Sequence, residues 1–157
     1  MPETAAAVIM ASVEEIELLL PLFLQYREFY ECQPCPEESR EYLIQRLRNN
    51  ETVIFMSLID GSNAIGFALI YPSYNSLSLK PLYILHDLYV QPNYRGMGHG
   101  ALLLETVKSY ARNNNCGEIM LQTAKNNVIA QQVYENHGYI RDDEFYCYYN
   151  FLSQEGE

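Results

Sequence analysis

Between Arg95 and Ala101 the chain reads RGMGHGA, which sets Gly96, Gly98 and Gly100 at alternate positions beside an arginine. Glycine carries no side chain beyond hydrogen, so the peptide N–H groups from Gly96 to Ala101 can approach a ligand closely and point the same way. The apolar run before them ends in Gln91-Pro92-Asn93 and an alanine- and leucine-rich stretch follows, so strand, bare-backbone loop and helix are the expected order. A helix start has N–H groups without internal acceptors and a partial positive charge, which suits a phosphate or pyrophosphate, and Arg95 adds a full charge. A glycine-softened helix start without a ligand is the alternative, but this spacing is more than a turn needs. Gly96, Gly98 and Ala101 also fit the GxGxxG/A dinucleotide fingerprint. That motif belongs in the first βαβ unit with an acidic residue closing the next strand, whereas EIMLQT ends here in Gln122 and Thr123. No lysine follows the glycines, so a nucleoside triphosphate P-loop fails as well.

Arg95, Gly98 and Gly100 match the (Q/R)xxGx(G/A) signature of the GNAT N-acetyltransferases, and the run LYILHDLYVQPNYRGMGHGALL resembles the strand, loop and helix that hold acetyl-CoA in that family. The later run AKNNVIAQQVYENHGYIRDD is similar to the family's second signature, NxxAxxxYexxGF, and the wording is closest to the diamine and histone-like branch. The resemblance implies acetyl-CoA as cosubstrate and direct transfer of its acetyl group to a small amine, a polyamine-like compound or a lysine-type amino group. It also implies that Arg95, Gly96, Met97, Gly98, His99, Gly100 and Ala101 hold the pyrophosphate. Leu88, Tyr89 and Val90 would pair their backbone with the pantetheine arm, with an N–H near Leu88 beside the thioester oxygen. Asn127 would bond a pantetheine amide, a plain helix cap being the competing account. Tyr134 would protonate the leaving thiolate, against the reading of a core aromatic. The first helix region and the late strand would shape the acceptor pocket, which points to Tyr26, Glu28, Tyr30, Glu31 and the acidic turn Asp142-Asp143-Glu144; a solvated acidic face accounts for each carboxylate singly.

An alkylamine with a pKa near ~10.4 arrives protonated, so a base must take its proton. His86 and Asp87 are the nearest candidates. The similar diamine enzymes read Glu-Asp there, and the histidine that replaces the glutamate is a competent base near neutrality; a water chain is the alternative. No cysteine nucleophile stands in the donor motifs, so a covalent acetyl-enzyme has little support. Two rival classes are a non-catalytic CoA-binding regulatory module and a nucleotide-cofactor oxidoreductase.

The 157 residues make one domain of ordinary size, and 48% hydrophobic with 19% charged residues is a soluble globular composition. Ten basic against 20 acidic residues leave a net charge of -10, which disfavours nucleic acid and anionic membrane and favours cationic partners or plain solubility. Arg95, Lys125, Lys108 or Arg112 must then supply positive potential to an anionic cosubstrate. Cys32 and Cys35 form a lone CxxC without the second pair a zinc site needs, so no metal is expected. MPETAAAVIMAS lacks a signal peptide's basic start and long apolar core, and with unpaired cysteines this points to the cytoplasm.

The elements that must position these residues follow in order. Ala5 to Met10 reads as a strand; Ser12 with Glu15 is a capping box opening a helix through Tyr30, which Pro21 should kink or divide. A second helix spans Glu37 to Arg48. Thr52 to Ile59, Asp60-Gly61 and Ala64 to Tyr71 form strand, turn and strand, then SYNSLSLKP a polar loop and Leu82 to Val90 the central strand. The helix after the glycines ends near Arg112, Glu118 to Thr123 is a strand, Asn127 to Asn136 a helix, and Glu144 to Phe151 a tyrosine-rich last strand before a frayed SQEGE. The order β-α-α-β-β-β-α-β-α-β describes an α/β fold with a mixed, mainly antiparallel sheet flanked by helices. The family resemblance also implies a homodimer formed through the late strands, which the tyrosine-rich end would serve, sheet interior being the equal alternative.

Overall fold

A computed structural model describes residues 6–153. The sheet has five strands in sequential order: β1 (Ala6–Met10), β2 (Val53–Ile59), β3 (Asn63–Asn75), β4 (Lys80–Val90) and β5 (Glu118–Met120). The first three pairings are antiparallel and β4 with β5 is parallel. Alternation along β2 sends Ile54, Met56 and Leu58 to one face and Phe55 to the other. The first face packs under α1 (Ile16–Phe29) and α2 (Pro36–Arg48) through Leu19, Leu22, Phe23 and Leu43; the second packs under α3 (His99–Asn113) through Leu103, Leu104 and Val107. A fourth helix, α4 (Val128–Asn136), follows β5.

The local signals act as their chemistry requires. Ser12 and Glu15 close the capping box, with Ser12 N–H donating to Glu15 Oε2 at 2.6 Å. Asp60 (φ 54) and Gly61 (φ 73) both take the left-handed conformation that a tight β2–β3 hairpin turn demands. Pro21 does not divide α1: Pro21 and Glu17, whose carbonyl loses its helical partner, are both exposed, so water can serve that carbonyl. The expected polar loop after Tyr71 is instead a longer hairpin, because Asn75 Oδ1 accepts from the N–H groups of Leu77 (2.9 Å) and Ser78 (3.2 Å) and folds the chain back at once.

The C-terminal third departs most from expectation. β5 stops at Met120 rather than Thr123, and the stretch from Glu144 to Phe151 forms no strand. A strand needs a partner for its N–H and C=O groups, and none of the described strands pairs with this segment. Its side chains stand in solvent: Phe145 is 80% exposed, Tyr146 89%, Tyr148 88% and Phe151 85%. Ala5 and the tail beyond Ser153 lie outside the described residues. Among the described residues, no helix is long and apolar enough to cross a membrane.

Candidate active site

The glycine loop leaves β4 through a short turn at Pro92–Tyr94 and enters α3 at Gly98. Gly96 (φ 76) and Gly98 (φ 87) both adopt left-handed backbone, which glycine reaches without strain. No side chain caps α3, and its first hydrogen bond runs from Leu102 N–H to the Gly98 carbonyl, so the N–H groups just before it lack helical partners. A Cβ added at Gly96, Gly98 or Gly100 would meet nothing within 4 Å. Unsatisfied donors facing open space at a positive helix end fit the diphosphate of acetyl-CoA. Arg95 donates from Nε to the Val90 carbonyl at 2.8 Å and lies over the rings of Tyr89 (5.6 Å) and Phe29 (6.0 Å). With Gln25, Glu28, Tyr89 and Pro92, Arg95 and Phe29 line an open pocket of about 390 Å³.

Upstream, β4 and β5 pair only through Leu82/Glu118, Tyr83/Ile119 and Ile84/Met120, after which they part. Leu88, Tyr89 and Val90 pair with β3 on one side, and their other edge is left open by β5. An extended amide-bearing arm can add to such an edge as a further strand.

Where this cleft begins, the β3–β4 register slips: Leu69 opposes Asp87, but Ile70 opposes Leu85, so His86 is the extra residue of a bulge. The bulge separates two neighbours. Asp87 turns under α1 with its side chain 4% exposed, while His86 stays 61% exposed. His86 Nδ1 lies 2.8 Å from Asp87 Oδ1, and this hydrogen bond is the main cause raising the imidazole pKa above 6.5, against the lowering effect of burial.

Phenols surround the pair. Tyr26 OH donates to the His86 carbonyl at 3.4 Å, and burial, then the Asp87 charge, push its pKa above 10.0. The Tyr30 ring meets Tyr26 edge-on at 5.1 Å, and the Tyr71 ring meets His86 at 5.5 Å, its hydroxyl 2.6 Å from that of Tyr42. Tyr134, on α4, is half-buried, and burial followed by the proximity of Tyr30 raises its pKa. Its phenol therefore keeps its proton through the neutral range. Asn127 caps α4, its Oδ1 accepting from Ala130 N–H at 3.2 Å.

Tyr26, Tyr30, His86, Asp87 and Tyr134 thus gather at one end of the cleft, while the acidic substrate candidates do not. Glu28 lines the Arg95 pocket, Glu31 lies just beyond α1, exposed in left-handed backbone (φ 59), and Asp143 is 81% exposed beside Arg141 at 3.7 Å. The reason is helical geometry: Tyr26 and Tyr30 are four residues apart and share a face, whereas Glu28 lies on another. His99 turns inward and is buried at 8% exposure, so its backbone rather than its ring faces the loop's open side. Lys108 is committed to Glu105 Oε1 (3.2 Å) and the His137 carbonyl (3.0 Å). Tyr42, Tyr71 and Gln25 are site neighbours that the sequence did not single out; each reaches the cleft through packing, with no motif to announce it.

Residues 19–139 match the model of the acetyltransferase (GNAT) family. An uncharacterized N-acetyltransferase of Bacillus subtilis (strain 168), YhfO, is 40% identical over 139 residues, 87% of this chain and 93% of that protein. An aminoglycoside N(6')-acetyltransferase type 1 of Stenotrophomonas maltophilia is 28% identical over 109 residues, 68% of this chain and 71% of that one. A crystal structure described as a probable acetyltransferase superposes with a TM-score of 0.90 at 40% identity, covering 95% of this chain and 99% of its own.

Proposed function

The chain belongs to the acetyltransferase (GNAT) family and is an acetyl-CoA-dependent acetyltransferase; from that premise we propose that it acetylates, by direct transfer, the primary amine of a small cationic compound. The acceptor is polyamine-like or carries a lysine-type amino group. The observation that carries this reading is the His86–Asp87 pair, with its Nδ1–Oδ1 distance of 2.8 Å, set among Tyr26, Tyr30 and Tyr71. A buried carboxylate and phenol rings both favour an ammonium group. One relative is, by its name, an aminoglycoside N(6')-acetyltransferase, which supports an amine-bearing small molecule as the class of acceptor.

The roles are those that the family resemblance implies, and each suits the chemistry of its residue. The loop from Arg95 to Ala101 holds the diphosphate, and the open edge of Leu88 to Val90 holds the pantetheine arm, supplying an N–H for the carbonyl oxygen. Asn127 assists at a pantetheine amide. His86 accepts the ammonium proton, and Asp87 keeps the imidazole oriented and basic. Tyr134 gives a proton to the sulfur that leaves. The test is thiol release from acetyl-CoA across a panel of polyamines, lysine-type amines, aminoglycosides and neutral amines. Turnover confined to the cationic primary amines is expected; preference for neutral acceptors contradicts the reading.

The chain acts in the cytoplasm as a single domain, a placement that its four free cysteines favour. It acts as a homodimer built through its C-terminal segment. No residue of 112–153 is buried, although that stretch carries Phe145, Tyr146, Tyr148, Tyr149 and Phe151. At roughly 150–250 Å² each, these rings alone offer an area comparable to the ~800 Å² per partner of a stable interface. Sedimentation is expected to give twice the 18.2 kDa chain mass, and Tyr146→Asp with Tyr148→Asp to return it to one chain. A monomeric parent, or a dimer untouched by both substitutions, overturns this assembly.

A further inference from the structure

Of residues 91–100, which turn the chain from β4 into α3, only His99 is buried. Arg95, Gly96, Met97 and Gly98 are exposed, so His99 supplies the buried anchor of the glycine loop, beside the surface contacts of Arg95 with the Val90 carbonyl, Tyr89 and Phe29. The pin is specific. His99 Nδ1 lies 3.2 Å from Oγ of Ser57, a residue of β2 with 0% exposure, in a strand otherwise filled with Val, Ile, Phe, Met and Leu. Ser57 lies on the same face of β2 as Phe55, two residues away, which packs against α3.

Small residues meet where β2, β3 and β4 run side by side at this point. Ser57 opposes Gly66 on β3, which opposes Val90 at the end of β4. A Cβ at Gly66 would come within 2.8 Å of the Tyr89 carbonyl oxygen and 3.2 Å of Val90 Cγ2. A large apolar residue at position 57 would compete with the imidazole for its place. A serine in the middle of a buried strand costs desolvation unless bonded, and its partner in the structure is this ring.

We infer that Ser57 and His99 form a positioning pair that holds the N–H groups of the loop in their diphosphate-binding arrangement before acetyl-CoA arrives. Neither side chain touches the cosubstrate; the pair acts through the backbone that begins at His99. The inference rests on the assignment of the diphosphate to this loop. Its energetic logic is a population term: an unpinned loop samples conformations that do not bind, and apparent affinity falls with the fraction that does. If that fraction drops to about a tenth, CoA binding weakens about tenfold, and turnover at saturating acetyl-CoA changes little.

The experiment measures CoA affinity by calorimetry, and KM for acetyl-CoA beside kcat, in Ser57→Ala, His99→Leu, His99→Asn and the Ser57→Ala/His99→Leu double variant. The double variant replaces the bonded pair by apolar groups, whereas His99→Leu alone leaves the buried Ser57 hydroxyl without that partner; cooperative unfolding is checked in both, so folding and binding are separated. Both are expected to bind CoA about tenfold more weakly with kcat within about twofold, the double being no worse than the single because the two residues act as one unit. His99→Asn, which can still bond Ser57, recovers most of the affinity. CoA affinity within about twofold of the parent in both His99→Leu and the double variant overturns the positioning role. Gly98→Val supplies the remaining arm. If it too leaves CoA affinity unchanged, the loop assignment itself has failed; if it alone weakens binding, only the positioning pair has.

Discussion

Tyr134→Phe is expected to lower kcat by about 10²-fold or more while leaving CoA affinity near that of the parent, because removing a positioned general acid typically costs 10²–10⁴-fold. The phenol is suited to acid duty because burial, and next the nearby Tyr30, raise its pKa above 10.0, so it holds a proton to give throughout the neutral range. The ring survives the substitution, so its packing against Tyr139 at 5.8 Å is retained and lost turnover reports the hydroxyl. Single-turnover thiol release with acetyl-CoA in excess measures it. Unchanged turnover at neutral pH removes the acid role from Tyr134.

His86→Ala is expected to be of comparable size, about 10²-fold in kcat/KM near neutrality, and to abolish the acidic limb of the pH profile. The sign follows from the pair's geometry. His86 accepts a proton only when neutral, so activity falls as the pH drops through its folded-state pKa. The hydrogen bond that His86 Nδ1 donates to Asp87 raises that pKa above 6.5, which places the limb at higher pH than an isolated histidine would give. Asp87→Asn removes the largest raising cause, so the limb must move to lower pH. An acidic limb unaltered in His86→Ala would transfer the base role to a water chain.

What could be read from the sequence was local. The glycines at 96, 98 and 100, the Ser12–Glu15 box and the Asp60-Gly61 turn act over a few residues, and each appears as its chemistry dictates. Tyr26, Tyr30, His86, Asp87 and Tyr134 converge although they come from α1, β4 and α4; the resemblance to a known family picked them out, since no pattern of spacing could. Features set by pairing between distant segments stayed hidden. The bulge at His86 exists only in the register of β4 on β3, and the hydroxyl pair of Tyr42 and Tyr71 joins α2 to β3. Ser57 reads as an ordinary strand residue until α3 lies above it. The segment from Glu144 to Phe151 has the composition of a strand, but composition does not supply an edge to pair with, and within one copy it finds none among the described strands. Glu28, Glu31 and Asp143 stand in regions that the family resemblance gives to the acceptor pocket, but neither the region nor the charge carries information about which face of an element they occupy.

With the chain an acetyltransferase, the regulatory-module and oxidoreductase readings fall away. Every assigned role then depends on where acetyl-CoA lies. A crystal structure of the acetyl-CoA complex measures this most directly. The diphosphate is expected against the N–H groups between Gly96 and Ala101, the pantetheine arm along the open edge of Leu88 to Val90, and the acetyl group at the His86 bulge. A cosubstrate bound elsewhere, with those N–H groups turned to solvent, would contradict it.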